Sequence, residues 1–209
     1  MCATKASAAA TAEAAMRGLP AFAVLASLAG LAAAAQDASW QSYHDPRGFT
    51  VSYPAGWKAD PNYFDTDYPT DGDPPPQLHA LALSPSGELQ PGTTLSSKDV
   101  RVTVAVLPPF RERCEALSFV AAPPPDFNSG IDTETPDYAH VTGGDPGGWY
   151  TYEDFVWRIS VKPCVAVHYY VGYYAADSDQ AKSLKSFDRV ALLKLLDAIR
   201  ARVALDPAR

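Results

Sequence analysis

The sequence predicts an α+β fold: an antiparallel β-sheet with covering helices, closed by a long C-terminal amphipathic helix. Three observations carry this expectation. Val100, Val102, Val104 and Val106 alternate with Arg101, Thr103 and Ala105, the period of two that belongs to a half-buried strand. Two runs rich in aromatic residues, 149–160 and 164–174, are divided by the turn at Lys162-Pro163 and so read as neighbouring strands. Phe187 to Val203 places Val190, Leu193, Leu196, Ile199 and Val203 at spacings of three and four, with Arg189, Lys194, Asp197 and Arg200 on the other side. Strands that follow one another directly before a terminal helix imply an antiparallel sheet with helix on at least one face.

In chain order, Asp45-Pro46-Arg47-Gly48 reads as a turn that leads into a strand where Phe49, Val51 and Tyr53 alternate with Thr50 and Ser52, until Pro54 ends it. From Asp60 to Pro76 the chain is acidic, rich in proline and without apolar period, which reads as a surface loop. A strand is expected at Gln77–Leu83 and another at Lys98–Leu107. A short helix is expected after Pro108-Pro109 through about Val120, then a proline-rich loop over Pro123–Asn128 and a glycine-rich loop over Gly143–Gly148. Ser186 is the expected N-cap of the final helix, with Asp188 in its first turn where the helix dipole favours a carboxylate. The count is about five strands plus the terminal helix.

Length and composition bound the function. At 209 residues, 47% hydrophobic and 20% charged, the chain has material for one globular domain with a real core. Seventeen Lys and Arg face 24 Asp and Glu, a net charge of -7, the wrong sign for a surface that tracks phosphates, so nucleic acid is excluded as a partner. Residues 19–35 are an apolar run ending in Ala33-Ala34-Ala35, the shape of a signal peptide, with cleavage expected after Ala35. Met16-Arg17 stands directly before the run and reads as the true start. The run is mostly alanine and shorter than the roughly 20 apolar residues of a spanning helix, so no stable membrane insertion is expected after cleavage. The expected domain is 36–209, periplasmic or secreted. Cleavage would remove Lys5, Arg17 and Glu13 and leave 15 positive against 23 negative side chains, so the acidity belongs to the domain. Cys114 and Cys164 then remain, and an even pair in an oxidising compartment reads as a disulfide, against the competing reading of buried free thiols.

Candidate chemistry is sparse. Asp65, Asp67, Asp71 and Asp73 gather oxygen ligands around Gly72, the kind of loop a hard cation wants, which makes calcium the candidate ion. The loop lacks the third ligand and closing Glu of an EF-hand, and otherwise reads as a solvated loop. His44, His79, His140 and His168 are isolated, without the close pairs of a zinc site. Cys164 and His168 share a strand face but stand roughly 13 Å apart at about 3.3 Å per residue, too far for a thiol–imidazole dyad. There is no G-x-S-x-G elbow and no P-loop, and Glu153 and Asp154 point to opposite faces of their strand. No catalytic motif is present, so no cofactor and no enzymatic activity are expected. Aromatics placed on both faces of the last two strands make Tyr170 and Tyr174 a candidate recognition surface, since aromatics with polar tips are common there.

The segment Tyr43-His-Asp-Pro-Arg-Gly-Phe-Thr-Val-Ser-Tyr-Pro-Ala-Gly-Trp57 resembles the opening of PsbP-like domains, a "Gly-Phe, strand, Tyr-Pro, small, Gly-Trp" pattern. Cys164-Val-Ala-Val-His-Tyr-Tyr170 and 187–200 look like the last strand and helix of exported bacterial members. The two segments cover about a quarter of the expected mature chain. The resemblance implies an α/β/α sandwich on an antiparallel sheet, generally without enzymatic activity and used for binding or assembly. The functional expectation is therefore an exported, non-enzymatic domain that binds a protein partner or an envelope component. The alternatives are a small-molecule or cation-binding protein and a hydrolase without a recognisable motif.

Overall fold

The computed structural model describes residues 39–65, 78–107, 113–120 and 128–207. Two antiparallel sheets organise them. β1 (Trp40–Asp45), β2 (Phe49–Pro54) and β10 (Val203–Leu205) form a small sheet with β2 in the middle. β3 (Trp57–Asp65), β4 (Leu78–Pro85), β5 (Leu95–Val106), β6 (Asn128–Glu134), β7 (Tyr138–Gly144), β8 (Tyr150–Val161) and β9 (Cys164–Tyr174) form a seven-stranded sheet in the order β3-β4-β5-β9-β8-β7-β6. The single α-helix among the described residues, α1, runs from Arg189 to Arg200.

The α/β/α sandwich with covering helices is corrected by this architecture. The fold is predominantly antiparallel strand, with ten strands and one helix in the described residues. The helix expected before Val120 is, in its described part, one turn of 3-10 helix at Ala116–Phe119. Part of the cover expected from helix is supplied by the small sheet: Phe49, Val51 and Tyr53 of β2 join Leu192, Leu196 and Ile199 of α1 in one core. They pack with Leu81, Leu83, Val100, Val102, Val104, Val167 and Tyr169 of the large sheet. We call this its helix-side face. Burying such Val and Leu side chains contributes roughly 1.5–3 kcal/mol each, which sets the register of every strand that supplies them. The far face carries a second, smaller core of Ala80, Ala105, Ala139, Val141, Val156 and Ala166 with Ala116, Phe119 and Val120.

Several boundaries differ from the sequence expectation for identifiable reasons. β3 runs into the acidic stretch as far as Asp65, accommodating Pro61 by an irregularity between Asp60 and Tyr63 on an edge strand, where a missing N–H is tolerated. α1 is capped by Asp188, whose side chain accepts from the Ala191 N–H at 2.9 Å, and not by Ser186. The helix ends three residues early, and Val203–Leu205 pairs with β2 instead. Residues 1–38, and with them the signal-peptide and start-site expectations, lie outside the described residues.

Candidate functional site

The far face of the large sheet brings together polar and aromatic side chains from four strands. β5 places Arg101 and Thr103 there, β9 places His168, Tyr170 and Tyr174, β8 places Tyr150, Tyr152 and Asp154, and β3 contributes Tyr63. β5 from Val100 to Val106 and β9 from Val165 to Val171 alternate, so the valines that build the helix-side core force their neighbours onto this face. Arg101 stands opposite Tyr170 and Thr103 opposite His168 in the β5–β9 register.

Arg101 is the least conventional of these residues. Its guanidinium carbon lies 4.7 Å from the Tyr63 ring centroid and 5.0 Å from that of Tyr170. Among the described residues it has no carboxylate partner, and its Nε is buried without a hydrogen-bond acceptor. Two cation–π contacts offset part of the cost of drawing the charge from water, roughly 0.5–2 kcal/mol each. The orphaned Nε still costs about 1–3 kcal/mol.

The surrounding groups are tightly paired. His168 and Asp154 are both buried, with Nε2 and Oδ1 2.6 Å apart. His168 Nδ1 has no hydrogen-bond partner among the described residues. A carboxylate–imidazole pair is also part of a hydrolytic triad, and among the described residues no Ser, Thr or Cys is bonded to Nδ1. Tyr152 stacks on Tyr170 at 5.5 Å between ring centroids. The Tyr150 hydroxyl interacts with Tyr170 and Asp99, and Asp99 accepts from the Ser96 hydroxyl at 2.5 Å. Burial, more than any neighbouring charge, pushes the Tyr170 hydroxyl up to about 12 and that of Tyr150 higher still. The Tyr150 hydroxyl has room because residue 172 is glycine: a Cβ there would meet the Tyr150 Oη at 1.7 Å. Gly143 makes the same allowance for Tyr152, whose ring would lie 2.5 Å from a Cβ.

On the helix side, Glu153 is bound by Arg189 through two nitrogens, at 2.8 and 2.5 Å, and faces His140 Nε2 at 3.1 Å. Burial works to raise its carboxyl, but the Arg189 and His140 contacts outweigh it and hold Glu153 below the usual carboxylate range. The cluster fastens the first turn of α1 to β8 and is fully occupied by its own partners.

The structure treats the sequence candidates unequally. Cys114 and Cys164 are joined in a disulfide, with Cα atoms 5.7 Å apart, tethering the 3-10 segment to β9. Tyr170 belongs to the far-face cluster. Tyr174 shares that face one step beyond Gly172, meets Tyr150 edge-on at 6.4 Å and lines a cleft of about 510 Å³ with Thr93, Ser96 and Lys98. Asp67, Asp71 and Asp73 lie outside the described residues, as does the side chain of Asp65, whose backbone ends β3. No group of three His, Cys, Asp or Glu among the described residues is arranged to hold a metal ion. Arg101 and the Asp154–His168 pair were not singled out by the sequence as a site. The alternation placed Arg101 opposite the valines, but the 67-residue separation of Arg101 from His168 hides their adjacency.

Comparison with known proteins places no family name on this geometry. No family model matches the chain. No curated protein matches it either. Among solved structures it is similar to the Ran-binding protein Mog1p of Saccharomyces cerevisiae, at 10% identity and a TM-score of 0.40, over 80% of this chain and 95% of that one. A likeness at that level carries no argument about what this chain does.

Proposed function

We propose that this chain is an exported, non-catalytic binding domain that holds a partner protein against the far face of its large sheet, around Arg101, Tyr63 and Tyr170. The observation that carries the reading is the Arg101 guanidinium, set against two tyrosine rings with a buried Nε that has no hydrogen-bond acceptor among the described residues. Natural folds leave few buried donors unpaired, and an acceptor carried by a partner would satisfy this one. Tyr and Arg are also the residue types that concentrate binding energy in protein interfaces. A rigid antiparallel sheet with locked aromatic rings loses little side-chain entropy when a partner docks. Location outside the cytoplasm rests on the signal-like run at 19–35 and the Cys114–Cys164 disulfide.

Native mass spectrometry of the chain purified from the cells that make it tests this. The expected result is a wild-type protein carrying partner mass that Arg101→Ala loses and Val190→Ala, on the exposed side of α1, retains. A bare wild-type monomer, or partner mass that Arg101→Ala keeps, would overturn the reading.

A further inference from the structure

We infer that the group recognised at Arg101 is an oxyanion, a carboxylate or a phosphate, received by the N–H donors of the guanidinium. This rests on the reading of the far face given above and names the chemistry it recognises. The tyrosine rings attract the positive charge of Arg101, and its buried Nε has no hydrogen-bond acceptor among the described residues. A guanidinium carries five N–H donors in a planar fork that matches two oxygens on one centre. Bonds from such a cation to an ionised acceptor are roughly twice as strong as neutral ones, and partial burial strengthens them further. A cationic ligand is repelled at this position, and a neutral carbonyl offers one acceptor where the fork presents parallel donors.

The neighbours add to the case. The carboxylates nearest in the cluster are already engaged: Asp154 with His168, and Asp99 with Ser96 and Tyr150. Neither forms an ion pair with Arg101. His168 lies diagonally across the β5–β9 register from Arg101, about 7 Å away by sheet geometry, with Nδ1 unpartnered among the described residues. The net charge of -7 limits the ligand's size. A polyanion is repelled by the chain as a whole, whereas a single oxyanion seated against Arg101 interacts within a few ångströms, well inside the Debye length of about 8 Å.

The test follows the arginine Nε–H resonances of 15N-labelled protein during titration with inorganic phosphate, with sodium acetate, and with sodium chloride at matched ionic strength. One resonance, identified by its loss in Arg101→Lys, is expected to shift to saturation with phosphate or acetate and to stay in place with chloride. Saturation by phosphate alone points to a phosphate-bearing ligand, and saturation by acetate to a carboxylate. Arg101→Lys keeps the charge but not the fork, and should bind the effective anion at least tenfold more weakly, read from tyrosine fluorescence. Should that variant fail to fold, through-bond assignment of Arg101 in the wild type preserves the titration. No saturable shift with either anion, or an equal shift with chloride, overturns the inference. Partner mass without any anion effect refutes the oxyanion alone. An anion effect on a protein that carries no partner refutes the partner-binding reading alone.

Discussion

Replacing Arg189 with methionine isolates what the Glu153 contact contributes to the fold. Glu153 is only 6% exposed in its side chain and loses both guanidinium bonds in the variant, keeping His140. Removing one partner of a buried ion pair typically costs about 3–5 kcal/mol, because the remaining charge stays buried. Arg189 is 46% exposed, so water screens the pair, and we halve that figure to roughly 1.5–2.5 kcal/mol. For a domain of this size the loss lowers the melting temperature by roughly 3–10 °C at pH 7. The pH dependence adds a sign. In the wild type the Glu153 carboxyl is lowered from 4.5, so its stabilisation is present above that value and is lost as pH falls through the folded value. In Arg189→Met burial dominates and raises the carboxyl, so the protein gains relative stability as pH falls toward 4. The assay is thermal melting by circular dichroism at pH 7 and pH 4 for wild type, Arg189→Met, Glu153→Gln and the double variant. A coupling energy of about 1–2 kcal/mol at pH 7 that shrinks at pH 4 is expected. Additive single effects, within about 0.5 kcal/mol at both pH values, would refute the claim that this pair fastens α1.

Three further outcomes follow from the geometry. Gly172→Ala drives a Cβ into the Tyr150 hydroxyl and within 2.8 Å of the Asp99 Cβ. It should cost about 1–3 kcal/mol, or roughly 2–12 °C in melting temperature, with much of the loss recovered by adding Tyr150→Ala; a neutral Gly172→Ala contradicts the close approach. Replacing Cys114 and Cys164 with alanine opens a loop with a sequence separation of 50 and should cost up to about 4 kcal/mol, read as a lowered denaturant midpoint. Burial raises the hydroxyls of Tyr150, Tyr169 and Tyr170, so the stability they contribute is full below pH 10 and is lost as pH rises through their folded values. Absorbance at 295 nm should therefore show these tyrosines ionising together with loss of the fold, and reversible titration of every tyrosine near pH 10 with the fold intact would contradict their burial.

The strands with strong alternation were legible in the sequence, and those without it were not. β9 begins and ends where the pattern placed it, at Cys164 and Tyr174, because both of its faces are filled with β-forming residues. β6 reads Asn-Ser-Gly-Ile-Asp-Thr-Glu and carries one large apolar residue, Ile131, so nothing in its pattern marks a strand. It is held as the edge of the sheet by pairing with β7. β7 hides likewise, since its last two residues, Gly143 and Gly144, look like loop but pair with both β6 and β8, and Tyr152 takes the space above Gly143. The opposite orientation of Glu153 and Asp154 was readable from strand period alone, and each has found a different basic partner. What period cannot supply is pairing across the sheet. The β5–β9 register brings Arg101 to Tyr170 and Thr103 to His168, and only the three-dimensional arrangement turns those separate residues into a site.

Hydroxyl-radical footprinting of the chain with and without its co-purifying partner reports most directly on which face is used. The residues discriminate well: Tyr63 and Tyr170 lie half-buried on the far face, whereas Trp40 and Trp149 are exposed elsewhere. Partner binding is expected to lower oxidation of Tyr63 and Tyr170 several-fold and to leave Trp40 and Trp149 unchanged. Protection of Trp40 or Trp149 with undiminished oxidation of Tyr63 and Tyr170 would contradict it.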